Sequence, residues 1–296
     1  MFKKVGISLG AALLLAGCAS PAASSGGKVS VVAGFYPLAY AAAQVGGGQV
    51  EITTLASPGV EPHDLELTPA QVVQIREADL VLYIPGLQPA VDEAIADADP
   101  SHVLDVTTGL TVLPAPGSIQ TGGTATDPHV WLDPQNMSVI GQSVESRLAT
   151  IDVGDGEGFA SRQAVFAAKL GALDSAWNAG TTTCASRDLV VSHEAFGYLA
   201  NRYGFTQIGL SGISPDAEPD PATLAKVADY VTTHSVRTIY SEALVDPKVA
   251  TVLAQETGAR TAVLDPIEGI PVGSNATYLT LMEANLAAVK EGQPCP

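Results

Sequence analysis

Three of the five histidines in this 296-residue chain sit where imidazole nitrogens could meet. His63 lies in Glu61-Pro62-His63-Asp64, where proline stiffens the approach and a strand is predicted to end shortly before, at Leu55. His129 lies in Asp127-Pro128-His129-Val130-Trp131-Leu132-Asp133-Pro134, and His193 follows the apolar run Leu189–Ser192. Asp265 ends a further apolar run, Thr261–Leu264, and Pro266 stops it. Three imidazoles and one carboxylate form a donor set for a first-row transition metal. Calcium and magnesium, which take oxygen ligands, fit it poorly. Glu61 is a candidate accessory ligand beside His63, although solvation is the expectation for it and for Glu194 and Glu242. Asp127 and Asp133 flank His129 and suit the acceptance of a ring N–H. His102, opening a predicted strand, and His234, in the last turn of a predicted helix, read as structural.

These residues need a scaffold that brings distant segments to one place. In the first half, strands are predicted at 29–33, 50–55, 80–84 and 103–106, with helices near 69–78 and 90–98. Thr68-Pro69 supplies a cap followed by proline at the first helical position. In the second half, strands at 189–192, 208–213, 236–240 and 261–264 alternate with helices at 195–203, 221–235, 247–257 and 275–290. Strand–helix alternation argues for parallel sheets covered on both faces. Two such sets predict an α/β protein of two (β/α) lobes. Between them, Phe159, Val165, Phe166, Leu170, Leu173 and Trp177 mark one long rigid helix joining the lobes. His193 and Asp265 then fall at carboxyl ends of parallel strands, where open α/β sheets bind ligands. His63 follows a strand by a short loop and can reach the same crevice. The predicted divisions are an N-terminal lobe at 29–155, a connecting helix at 156–179 and a C-terminal lobe at 180–296. The stretch 111–127, rich in Gly, Pro, Thr and Ser, reads as a loop.

Fourteen Lys and Arg stand against 31 Asp and Glu, a formal charge of −17 that argues against a nucleic-acid partner. Lys3 and Lys4 followed by an apolar stretch from Val5 to Ala16 read as a signal peptide over 1–17. Leu15-Ala16-Gly17-Cys18 resembles a bacterial lipobox, so Cys18 is expected to carry a lipid, with 18–28 as a flexible tether. Cys184 and Cys295 remain as an even pair, read as a disulfide in an oxidising compartment, with two free thiols as the alternative.

Four segments then carry a resemblance: E-P-H-D-L-E-L-T-P, D-P-H-V-W-L-D-P, S-H-E-A-F-G-Y-L and L-D-P-I-E-G, in this order along the chain. Together they resemble the zinc- and manganese-binding lipoproteins of ABC importers (cluster A-I, or cluster 9), over about residues 29–291. Tyr278, Met282 and Asn285 in the last predicted helix fit the same likeness. The resemblance implies a metal held in the interlobe cleft, with His63 and His129 as ligands from the first lobe, and His193 and Asp265 from the second. It implies a monomeric receptor, delivering its metal to a membrane permease with a cytoplasmic ATPase. A histidine at position 193 favours zinc, with manganese as the alternative. Residues 111–127 depart from many zinc-type relatives, holding no histidine and a single acid, Asp127. Two other readings stand beside the receptor: a secreted zinc hydrolase with a water position, and a receptor for a chelated or organic ligand. The absence of H-E-x-x-H and of a placed nucleophile argues against the enzyme.

Overall fold

Short apolar runs build two sheets of the same design. The computed structural model describes residues 27–116, 125–215 and 219–295; the predicted signal peptide and Cys18 lie outside them. In the first sheet, β1 (Val29–Ala33), β2 (Val50–Thr54), β3 (Leu80–Tyr83) and β4 (Val103–Asp105) run parallel in the order β2-β1-β3-β4. In the second, β5 (Asp188–Val191), β6 (Thr206–Gly209), β7 (Thr238–Ser241) and β8 (Arg260–Val263) repeat it as β6-β5-β7-β8. The central strands are the ones that read as continuous apolar runs. Val31, Val32, Leu80, Val81, Leu189 and Val190 are all buried, as strands covered on both faces require.

Some helices begin at a side-chain cap and others at a proline in the first turn without one. α1 spans Tyr36–Gly46, and α2 spans Pro69–Glu77 behind a reciprocal Thr68–Gln71 capping box. α3 spans Pro89–Ala96, and α4 spans Pro134–Ile151, with the Asp133 side chain accepting from the Gln135 N–H. The connecting helix α5 runs from Gly156 to Thr181, 26 residues or about 39 Å at 1.5 Å per residue. α6 (Gly197–Tyr203), α7 (Pro221–Thr233), α8 (Lys248–Thr257) and α9 (Tyr278–Gly292) complete the second half. Gly258 closes α8 at φ 74°, a left-handed position that glycine takes without a side-chain clash.

Phe159, Phe166, Leu170, Leu173 and Trp177 form the buried stripe of α5, whereas Val165 turns outward and is 55% exposed. α5 lies against α1 and α4 from the first half and against α9 from the second. One core therefore runs continuously from β1 through Trp177 to Met282 and Val289 on α9. A disulfide joins Cys184, just beyond α5, to Cys295 beyond α9, across a sequence separation of 111.

Two helices escaped the sequence reading. α1 is rich in alanine and is buried at six of its 11 positions, so it shows no clean polar face. α4 carries Asn, Ser and Gly that blur its periodicity, although Asp133-Pro134 is a cap-and-proline start. The strand predicted at 208–213 begins and ends earlier, at Thr206–Gly209. No helix among the described residues is long and apolar enough to cross a membrane.

Candidate metal centre

The order β6-β5-β7-β8 places a change of winding direction between β5 and β7, where a crevice opens beyond the strand ends. His193 lies two residues past β5, and Glu242 directly follows β7. His63 enters from the connection between β2 and α2, and His129 from the segment before α4. The connection from β8 to α9 supplies a carboxylate, Glu268. All four of His63, His129, His193 and Glu268 are buried, and their donor atoms lie within 4.8 Å of one another.

The spacing is regular. Glu268 Oε1 stands 3.3 Å from Nε2 of His63, of His129 and of His193. The Nε2 atoms of His129 and His193 are 3.4 Å apart. A tetrahedron with metal–ligand bonds of about 2.0–2.1 Å has edges of about 3.3–3.4 Å, so these four separations match a zinc coordination shell.

Each of two histidines is aimed by a carboxylate. His129 Nδ1 is 2.7 Å from Asp127 Oδ1, which also accepts the backbone N–H of His129 at 3.0 Å. His193 Nδ1 is 2.7 Å from Glu242 Oε1, which accepts the His193 backbone N–H at 3.1 Å. A ring N–H directed at a carboxylate holds Nε2 toward the centre and makes it more basic. The backbone N–H of His63 is held by Glu61, at 3.1 and 3.0 Å from its two oxygens.

Buried charges perturb one another strongly here. Burial alone would lower the His193 pKa, but hydrogen bonds to Glu242 and Glu268 outweigh it and push it up to about 10. His129 is raised in the same way, against its burial, by Asp127 and Glu268. Burial would raise Glu268, yet three imidazoles hold it well below the usual carboxylate range.

The carboxylate that joins the three histidines differs from the one expected from the sequence. Asp265 is not a member of the group; its Oδ1 accepts the backbone N–H of Ile267 at 2.7 Å, and burial pushes its pKa up to about 6. That hydrogen bond folds the chain into a tight turn in which buried Ile267 sits at φ 58°. A left-handed β-branched residue costs about 1–3 kcal/mol and persists only where its surroundings enforce it. Three residues beyond Asp265, the turn delivers Glu268. Its carboxylate was visible in L-D-P-I-E-G, but nothing in the spacing announced the reversal that turns it inward.

The other carboxylates divide. Glu242, expected at the surface, is 6% exposed because it serves His193. Asp133 caps α4 and lies 3.2 Å from Arg202, so it serves the helix and not His129. Glu61 and Glu194 are outside the four-donor group, and so are His102 and His234. His102 ends a single helical turn before β4, and His234 stacks on Tyr230 at 3.9 Å.

Three imidazoles and one carboxylate at these separations could complete a tetrahedral zinc shell from protein donors alone. Two parallel-sheet lobes and a helical connector surround this group. The family model of ZnuA, the zinc-uptake complex component A periplasmic protein, matches residues 31–292, and the chain belongs to that family. It is 32% identical to the high-affinity zinc uptake system protein ZnuA of Bacillus subtilis, over 98% of both chains. It is 31% identical to the zinc-binding lipoprotein AdcA of Streptococcus pneumoniae, over 98% of this chain but 61% of that longer one. The Zn(II)-bound ZnuA-like domain of that AdcA superposes with TM-score 0.78 at 32% identity, covering 90% of this chain and 99% of the domain. The laminin-binding protein Lmb of Streptococcus agalactiae, described as bifunctional with adhesin and metal-transporting activity, superposes with TM-score 0.81 at 30% identity. That match covers 90% of this chain and 100% of Lmb. The chain is thus the extracytoplasmic zinc-binding component of an uptake system, and not an enzyme.

Proposed function

We propose that this chain captures one Zn²⁺ with Nε2 of His63, His129 and His193 and the carboxylate of Glu268, and delivers it to a membrane permease driven by a cytoplasmic ATPase. Lobes divided at 29–155 and 180–296 about the connecting helix would supply two ligands each. The N-terminal motif ending at Cys18 supports a lipid anchor on the extracytoplasmic face of a bacterial membrane, at the cell surface or in the periplasm, with the receptor acting as a monomer. The observation that carries the ligand set is the set of three equal 3.3 Å separations about Glu268 Oε1, sized for a zinc tetrahedron.

Capture follows from the donors. Zinc binds imidazoles that have lost their protons, so binding displaces protons into solvent. Because both halves of the chain contribute ligands, the ion ties the lobes together, and release requires one half of the shell to loosen.

Native mass spectrometry on metal-stripped protein beginning at Ala19, offered equimolar zinc and manganese, tests this reading. One zinc per chain is expected, and none in His193→Ala. Retention of manganese instead would overturn the metal, and no stoichiometric metal at neutral pH would overturn the site.

A further inference from the structure

The turn that carries Glu268 is held by hydrogen bonds from α9, from Trp131 and from within itself. Asn285 on α9 grips the Asp265 backbone twice: its Oδ1 accepts the Asp265 N–H at 2.8 Å, and its Nδ2 donates to the Asp265 carbonyl at 2.7 Å. The next carbonyl, of Pro266, accepts the Trp131 indole N–H at 2.7 Å. The Asp265 side chain then accepts the Ile267 N–H at 2.7 Å and closes the turn over a left-handed isoleucine. Asp265, Asn285, Ile267 and Glu268 are all buried. A left-handed isoleucine is unfavourable on its own, so the conformation persists because these contacts impose it.

We infer that Asp265 is a positioning residue and not a ligand: with Asn285 it forces the strained turn at Ile267, and that turn fixes the Glu268 carboxylate at zinc-binding distance from the three imidazoles. The inference rests on the ligand set proposed above and assigns a role that the ligand set alone does not contain. A flexible carboxylate would have to be ordered when metal arrives, whereas a clamped one is already in place. The clamp therefore contributes to affinity through preorganisation. The chemistry needed at position 265 is a hydrogen-bond acceptor two residues before Ile267, and an asparagine side chain supplies that as well as an aspartate.

The test compares Asp265→Ala, Asp265→Asn and Glu268→Gln by zinc competition against a chromophoric chelator, and by the visible spectrum of the cobalt-loaded proteins. Asp265→Ala is expected to lose about 10–100-fold in zinc affinity, as other changes behind a metal ligand do. Asp265→Asn is expected to recover most of that loss, with the wild-type cobalt spectrum. Equal losses in Asn and Ala variants, with an altered cobalt spectrum in both, would make Asp265 a ligand and overturn the inference. An unaffected Asp265→Ala would overturn it too. Glu268→Gln is expected to weaken zinc and change the cobalt spectrum; wild-type behaviour there would overturn the ligand set itself. Should Asp265→Ala fail to fold, Asn285→Ala carries the same expectation, because it releases the same turn from α9.

Discussion

The indole N–H of Trp131 donates to the carbonyl oxygen of Pro266 at 2.7 Å, and the two residues stand 135 positions apart in the chain. Trp131 follows the candidate ligand His129 by two residues, and Pro266 precedes Glu268 by two. The hydrogen bond thus ties an imidazole from the first half to a carboxylate from the second without a metal between them. Tyr278 extends the tie, donating its hydroxyl to the Trp131 carbonyl at 2.6 Å from the start of α9. Phe35 packs edge-on against the fully buried Trp131 ring, with centroids 4.7 Å apart.

Replacing Trp131 with Phe keeps most of the apolar volume and leaves the buried Pro266 carbonyl without its donor. An orphaned buried acceptor costs about 1–3 kcal/mol, and chemical denaturation of the metal-free protein should show a loss of that size. Zinc affinity is expected to fall as well, because the turn bearing Glu268 loses one of its holds. Unchanged stability and affinity would show that the tie does not matter.

Asp127 and Glu242 fix the two best-oriented imidazoles. Asp127→Ala and Glu242→Ala should each weaken zinc by about 10–100-fold while leaving the four donors chemically intact. Competition titration measures this directly. An affinity equal to wild type in both variants would contradict the orienting role.

Zinc capture should release protons at neutral pH. The His193 pKa, pushed up to about 10 in the metal-free fold, leaves its imidazole charged at pH 7, and zinc must displace that proton. Affinity should therefore rise about tenfold per pH unit for each proton displaced. Titration calorimetry in buffers of different ionisation enthalpy counts these protons, and a count of zero at pH 7 would contradict the site electrostatics. The same raised pKa stabilises the metal-free fold most fully below the unfolded value of 6.5, and that contribution disappears as pH rises through about 10. The melting temperature of stripped protein should accordingly decline over this range, more than that of zinc-loaded protein.

The Cys184–Cys295 bond closes a long loop, with a sequence separation of 111. In the chain-entropy account a closure of that size contributes roughly 4–5 kcal/mol. A Cys184→Ser, Cys295→Ser double variant should lose up to that amount in a denaturant titration yet still bind zinc, since neither cysteine touches the four donors. Loss of zinc binding in the folded variant would contradict this separation of roles.

Much of this architecture was legible because its signals are local. The strands at 29–33 and 80–84 announce themselves by apolar and β-branched runs, and the α2 start by Thr68-Pro69. The stripe from Phe166 to Trp177 exposes the connecting helix through its spacing. The three histidines were legible because each stands beside a strand end or a proline-stiffened turn. Glu268 was not, since its inward aim depends on a left-handed residue at Ile267, and isoleucine gives no hint of such a conformation. Glu242 was missed for a related reason: its burial depends on β5 and β7 lying side by side, a pairing between residues about 50 positions apart that composition does not reveal.

The most direct test is a crystal structure of the zinc-loaded protein, with anomalous data collected on both sides of the zinc absorption edge. The account predicts a single peak bonded to Nε2 of His63, His129 and His193 and to the Glu268 carboxylate, with the Asp265 carboxylate still on the Ile267 N–H. A peak bonded to Asp265 in place of Glu268, or one lying outside the three imidazoles, would contradict it.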